Sequence, residues 1–239
     1  MDGEAGERRK GNKILNLWNG IYSSFSAVDI ECDYAVGDSK EWVKSQIDKV
    51  ENNFIELFEG QNKLLNAYSR KFIYPKIVDF GGSIGHSYLA IDNEVVNYYV
   101  IETKEICKAG KEFYKDDPSI TFLSSMPKLK DVDIVYIRSA LQYAKSPVWI
   151  LGKLIDLDPR YFIFSHLSAG NIDSFVSLQE WYGHKIPYWF LDLSQIRRLF
   201  DDCGYELEMQ SSYEDLDQSN FPVENKILHT KNLVFKRIR

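Results

Sequence analysis

Cysteine and histidine are scarce in this sequence, basic blocks are missing, and no apolar stretch approaches the roughly 18 residues a membrane span needs. The three cysteines, Cys32, Cys107 and Cys203, are far apart and lack metal-ligand spacing. That excludes a zinc module and a disulfide framework, and it fits reduced thiols in a cytosolic chain with no bound metal. Lysine and arginine total 29 against 35 acids, a formal charge of −6, with only short basic pairs such as Arg8-Arg9 and Arg197-Arg198. A protein that holds long nucleic acid usually shows a basic stripe, so nucleic acid is not an expected partner. Residues 1–13 are polar and mixed in charge, without the apolar centre of a signal peptide, and are expected to fray. No repeat or low-complexity segment is evident, and no pattern indicates an oligomeric state.

What is present suits a globular enzyme-sized domain: 239 residues, 44% apolar and 27% charged. From 39 to 70 the spacing of Val43, Ile47, Val50, Phe54 and Leu57 predicts a helix, with a break at Gly60 before a second short one. Residues 1–70 therefore read as an N-terminal helical extension or cap. Past Pro75 the texture becomes strand–helix alternation. Strands are expected over 76–80, 95–102, 120–123, 133–137 and 161–165, and helices over 103–114, near Val148 to Ile155, and over 193–203. Strands over 205–211 and 233–238, joined by a polar connection, read as a closing hairpin. Alternation of this kind implies a doubly wound, mostly parallel sheet of seven strands occupying 71–239. This is the Rossmann-like order of class I methyltransferases.

The first strand–turn–helix crossing of such a sheet is where cofactors bind. Here it reads Asp79-Phe80-Gly81-Gly82-Ser83-Ile84-Gly85. A dinucleotide frame started at Gly81 puts Ser83 and His86 where its second and third glycines belong. The methyltransferase frame, an acid followed by small residues at two, four and six positions on, fits with one serine for glycine. The acid has a physical reason, because S-adenosylmethionine (SAM) brings an amino group and a sulfonium to this turn, whereas a dinucleotide brings phosphates. Glu102, about 20 residues further on at a strand end, is placed to accept ribose hydroxyls, a role that serves NAD and SAM alike. Ser124 and Ser125, covered by Met126, and the segment Ser139-Ala140-Leu141-Gln142-Tyr143 are expected to hold adenine and the methionine tail, with Leu141 or Tyr143 against the ring or packed as core.

Read together, several segments resemble a group of bacterial methyltransferase-like proteins often encoded among genes for cell-surface polysaccharide (O-antigen or capsule). They are Trp18-Asn19-Gly20-Ile21-Tyr22-Ser23, the loop 78–85, Ser139-Ala140-Leu141-Gln142-Tyr143 and Ile186-Pro187-Tyr188-Trp189-Phe190, spanning about 18–205. The resemblance implies methyl transfer to a glycan or nucleotide-sugar acceptor. Where that family usually carries an arginine-threonine-proline type segment, this chain has His166-Leu167-Ser168-Ala169-Gly170.

A hydroxyl acceptor needs a base, and histidine suits that task near neutral pH. His166 is the first candidate because it follows a strand end, and His184 is the second. Tyr22, Tyr143, Trp181, Tyr182, Tyr188 and Trp189 are candidate acceptor contacts, an aromatic wall for a sugar ring or else packing under a lid. Asp173 and Glu180 are further possibilities that sequence does not rank. Two other readings stay open: a nicotinamide-dependent enzyme, and a non-catalytic binding or scaffold member of a polysaccharide assembly system.

Overall fold

The computed structural model describes residues 17–28, 39–51, 62–93, 95–181 and 184–238. The expected break at Gly60, Cys32 and Tyr182 lie outside them, and of Trp181 only the backbone is described.

In chain order the elements are β1 (Trp18–Tyr22), α1 (Lys40–Glu51), α2 (Lys63–Ser69), β2 (Lys76–Phe80), α3 (His86–Leu89), β3 (Asn97–Ile101), α4 (Lys104–Phe113), β4 (Ile120–Leu123), β5 (Ile134–Arg138) and α5 (Pro147–Ile155). Then come β6 (Tyr161–Leu167), β7 (Ala169–Gly170), β8 (Phe175–Trp181), β9 (His184–Asp192), α6 (Leu193–Asp202), β10 (Tyr205–Asp215) and β11 (His229–Arg237).

Seven strands form the main sheet in the order β10-β11-β6-β5-β2-β3-β4. The five from β2 to β6 run parallel, and β11 pairs antiparallel with both β6 and β10. This is the expected doubly wound architecture. Its inner strands are apolar on both faces, as Ile134 to Ile137 are, because helices cover both sides. Leu151 and Leu154 of α5 and Ile196 and Phe200 of α6 close one face, with Val78, Val135, Phe162 and Phe235 beneath them. Leu65 and Tyr68 of α2 and Cys107 of α4 close the other, against Tyr98, Tyr136 and Val234. Asp192 caps α6 by accepting from the amides of Ser194 and Gln195.

Three sequence expectations need correction. Residues 18–22 belong to no cap of helices: they form β1, which pairs antiparallel with β8. The segment 175–192, to which no strand was assigned, is the β8–β9 hairpin, and β1, β8, β9 and β7 make a second sheet in that order. Its alternation was hidden because several of its strand residues are buried on both faces, Val176, Ser177 and Leu178 among them. The closing hairpin is also longer than expected, and part of the 212–230 connection packs inward. There Phe221 and Ile227 join Trp18, Phe175, Tyr188 and Phe190 in one cluster. Trp18 is tied to that connection twice, donating from Nε1 to the Asp217 carbonyl at 3.1 Å and accepting from the Asn220 amide at 2.6 Å. The N-terminal elements are thus woven into the rest of the fold.

Candidate active site

Strand order reverses between β2 and its neighbours β5 and β3, and such a switch point opens a crevice at the strands' carboxyl ends. The loop after β2 turns there with Gly81 at φ +73° and Gly85 at φ +86°, both in the left-handed region that glycine enters freely. A Cβ on Gly81 would overlap that of Ala140, so the loops after β2 and β5 touch because that side chain is missing. A Cβ on Gly82 would run into the Asp79 carboxylate. The two adjacent glycines therefore do separate jobs: one admits the neighbouring loop and the other admits the acid.

Asp79 lies beneath the turn and is 1% exposed. Its Oδ2 accepts from the Tyr98 hydroxyl at 2.7 Å, and its Oδ1 is buried without a hydrogen bond. Burial pushes the carboxyl up to about 7 and Glu102 adds to the rise, while the Tyr98 bond and Arg138 oppose it. Tyr98 was not anticipated. Nothing in the β3 sequence distinguishes this tyrosine from an ordinary core residue.

Glu102 follows β3 and points at the loop. Its Oε1 accepts from the Ser83 amide at 3.1 Å and its Oε2 from the Thr103 amide at 2.9 Å. Ser83 takes φ +54°, unusual for a residue with a side chain, and its hydroxyl reaches Gln46 of α1 at 3.4 Å. His86 donates from Nε2 to the Gln46 carbonyl at 3.3 Å, and burial lowers its pKa to about 4. Helix α1 thus covers the glycine loop, a contact that sequence reasoning missed. Ser124 and Ser125 are exposed beyond β4. Ser124 edges a hollow of about 370 Å³ whose other walls are Lys104, Cys107, Lys108, Lys111 and Glu112 of α4.

Beyond β5 the expected cofactor contacts separate. Ser139 holds φ +50° and donates its amide to the Ser165 carbonyl at 3.0 Å. Leu141 is fully buried in the main core, so it is packing and not a cover for adenine. Gln142 is also buried. It donates to the His166 carbonyl at 2.7 Å and to the Tyr188 hydroxyl at 3.3 Å, so it braces β6 and β9 and does not project into the crevice.

His166 sits near the end of β6 with φ +59°. Ser83, Ser139 and His166, each strained, thus stand on three segments at or beyond the carboxyl ends of β2, β5 and β6. Such strain persists where surroundings over-determine it, commonly at functional sites. Around His166 they do: its carbonyl is held by Gln142, its amide donates to Asn232 Oδ1 at 3.2 Å, and its ring lies 4.1 Å from that of Tyr213. Nδ1 stands 3.2 Å from Glu214 Oε2, and Nε2 is buried without a hydrogen bond. Burial, and then the Arg138 charge, pull its pKa down to about 4. Glu214 favours the charged ring, but it is largely solvated and its pull is screened.

The second histidine is elsewhere. His184 is exposed at the turn end of the β8–β9 hairpin, paired with Trp181 and four residues from Tyr188, roughly 13 Å along the strand. The aromatic wall is also corrected. Tyr188 is buried, bonded to Ser168 Oγ at 2.5 Å and packed on Trp18, while Trp189 stacks on Phe25. Tyr188 is thus a packing residue that offers no face to a sugar, and Trp189 is half-buried against Phe25. Tyr22 packs into the same cluster as Phe25 and Trp189, its ring folded over Gly20. Tyr143 keeps 42% exposure, donates to Gln179 at 2.8 Å, and remains available to an acceptor. Asp173 and Glu180 are exposed. No cluster of three or more potential metal ligands and no helix long and apolar enough to cross a membrane occurs among the described residues.

No family model matches the chain, and no curated protein matches it. Solved structures resemble it in fold. A SAM-dependent methyltransferase from Methanosarcina mazei superposes with a TM-score of 0.57 at 11% identity, covering 74% of this chain and 97% of that one. The 1,6-didemethyltoxoflavin-N1-methyltransferase of Burkholderia thailandensis, solved with bound 1,6-didemethyltoxoflavin and S-adenosylhomocysteine, gives 0.53 at 10%, covering 88% and 94%. The N-terminal domain of EvdMO1, solved with S-adenosylhomocysteine and D-fucose, gives 0.51 at 12%, covering 76% and 82%. The chain has the class I methyltransferase fold.

Proposed function

We propose that this protein is a SAM-dependent methyltransferase acting on a hydroxyl of a small molecule, with a sugar, nucleotide sugar or glycan fragment as the favoured acceptor. The observation that carries this reading is the turn from Asp79 to Gly85. It combines a bare backbone at Gly81 and Gly82, a buried carboxylate with one unbonded oxygen, and Glu102 at the neighbouring strand end. That acceptor set fits a nucleoside bearing a cationic amino acid, because the carboxyl oxygens of Glu102 and Asp79 stand where a dinucleotide would place phosphates. The sugar preference is supported by the resemblance to polysaccharide-associated proteins and by the D-fucose in one structural neighbour.

When bound, the cofactor supplies a methyl group on a sulfonium, an electrophile with a good leaving group. The chain's part is largely to hold donor and acceptor in line. Glu102 would receive the ribose hydroxyls, Ser124 the adenine edge, and the loop backbone the methionine tail. As the acceptor oxygen attacks, its proton has to leave, and His166 Nε2, a buried nitrogen near the end of β6, would take it. Since Nε2 lacks solvent access, acceptor entry must displace a neighbour. The Tyr213 ring, 40% exposed and tilted against the imidazole, is the neighbour that would move aside.

Calorimetry tests the reading. S-adenosylhomocysteine should bind and NADH should not. Tight NADH binding with no response to S-adenosylhomocysteine would overturn it. If the cofactor product binds but no glycan or nucleotide sugar is methylated, the acceptor class is wrong or the member is non-catalytic.

A further inference from the structure

The long hairpin of β10 and β11 brings two unanticipated side chains onto His166: Tyr213 against the ring and Glu214 against Nδ1. Both belong to a segment that reads in sequence as the start of a polar connection. The imidazole, strained at φ +59°, is clamped through its amide by Asn232, through its carbonyl by Gln142, and through one ring nitrogen by Glu214. The other nitrogen makes no hydrogen bond. A carboxylate can only accept, so a hydrogen bond across this 3.2 Å contact would come from a protonated Nδ1, which in a neutral ring leaves Nε2 as a bare lone pair.

We propose that Glu214 is a positioning residue for His166: by accepting from Nδ1–H it fixes the tautomer and ring orientation that present Nε2 as a proton acceptor to the substrate hydroxyl. This rests on the methyl-transfer reading above. In the step it serves, the acceptor oxygen bonds to the methyl carbon, the carbon–sulfur pair passes to sulfur, and the hydroxyl proton moves to Nε2. The imidazolium so formed lies against the Glu214 carboxylate, which stabilises it. A group that stabilises the product of proton transfer is what a base held down by burial needs. The charged and titratable groups recorded against the ring are Arg138 from β5 and Tyr213 and Glu214 from β10. Arg138 opposes the imidazolium, and Glu214 is an anion 3.2 Å from Nδ1 whose pull is screened by solvent.

The test reads the tautomer directly. The full chain, labelled with 15N-histidine and saturated with S-adenosylhomocysteine, is observed by long-range proton–nitrogen correlation, with His166 assigned by its loss in His166→Asn. Nδ1 should be protonated and Nε2 bare at neutral pH. Glu214→Ala, at a largely exposed side chain that the fold does not need, should move the proton toward Nε2. Glu214→Gln, which still offers an acceptor oxygen, should keep it on Nδ1. With a working acceptor, kcat should fall about ten- to a hundredfold in Glu214→Ala and less in Glu214→Gln, the KM for SAM being unchanged. An unaltered tautomer in Glu214→Ala, or Glu214→Gln behaving like Glu214→Ala, would overturn the proposal. Normal turnover by His166→Asn would instead remove the catalytic role of the histidine and leave the tautomer result standing, so the two failures are distinguishable.

Discussion

Replacing Asp79 by asparagine should change the pH dependence of stability in a direction fixed by burial. The Asp79 carboxyl is pushed from 3.8 in an ordinary setting up to about 7 in the folded chain. Below pH 4 it is protonated in both states and contributes nothing to the difference. As pH rises from 4 to 7 the unfolded chain ionises it while the folded chain does not, so folding loses stability at up to about 1.4 kcal/mol per pH unit. The cost is about 1.7 kcal/mol at pH 5 and about 4 kcal/mol at pH 8, and an asparagine bears none of it. The substitution carries its own constant penalty. Tyr98 can still donate to the amide oxygen, but the new NH2 sits where Oδ1 makes no hydrogen bond, at about 1–3 kcal/mol. Asp79→Asn should therefore be near wild type or weaker at pH 5 and more stable at pH 8. The gap between the two proteins should shift by about 2.5 kcal/mol, or about 5–10 °C in Tm for a chain of this size. Urea titrations of the cofactor-free proteins at the two pH values measure it. A gap that does not change with pH, or a wild type that gains on the variant as pH rises, would refute the buried, largely neutral Asp79.

Further outcomes follow from the same geometry. Gly81→Ala should destabilise by about 2–4 kcal/mol, from left-handed backbone strain plus the collision with Ala140, and urea unfolding checks it. Glu102→Ala should weaken S-adenosylhomocysteine binding by about 2–4 kcal/mol in calorimetry, since two charged hydrogen bonds to ribose are lost and the Ser83 amide loses its acceptor. An unchanged affinity in a folded variant would place the ribose elsewhere. His166→Asn should keep S-adenosylhomocysteine affinity and lower kcat by about 10²–10⁴. Because its pKa is pulled down to about 4, His166 is already deprotonated above pH 5, so the wild-type rate should show no histidine limb between pH 6 and 8. A limb near 6.5 that vanishes in the variant would mean the burial argument is wrong.

The parallel half of the fold was readable because its signals are local. Each of β2 to β6 is an apolar run, separated from the next by an amphipathic helix or a turn, and the glycine loop has to stand at the first crossing. Asp79 and Glu102 were found by position along that pattern. The second sheet was not readable, because β1 and β8 pair across more than 150 residues and their partner choice leaves no local trace. Gln142 was misjudged, and the two readings of Leu141 could not be separated, for a related reason. A loop after a strand end faces the crevice or the core according to its exact turn, and here the 3-10 turn after Ser139 sends both side chains inward. Glu214, Tyr213 and Asn232 come from a hairpin whose length could not be gauged, since a polar edge strand and a polar loop have similar compositions.

The way β1 is tied in has a consequence for how the chain is made. Trp18 is bonded to residues 199 and 202 positions further on, and β1 adds to a hairpin that is itself late in the sequence. A chain emerging N-terminus first must hold this tryptophan-bearing segment unpaired until its strand partner β8, residues 175–181, has been made, and the residues that bond Trp18 follow only at 217 and 220. Contacts of such separation form late and carry a large loop-closure cost. Nascent chains halted before Phe175 should therefore carry an unpaired, apolar N-terminal strand, the state most exposed to aggregation.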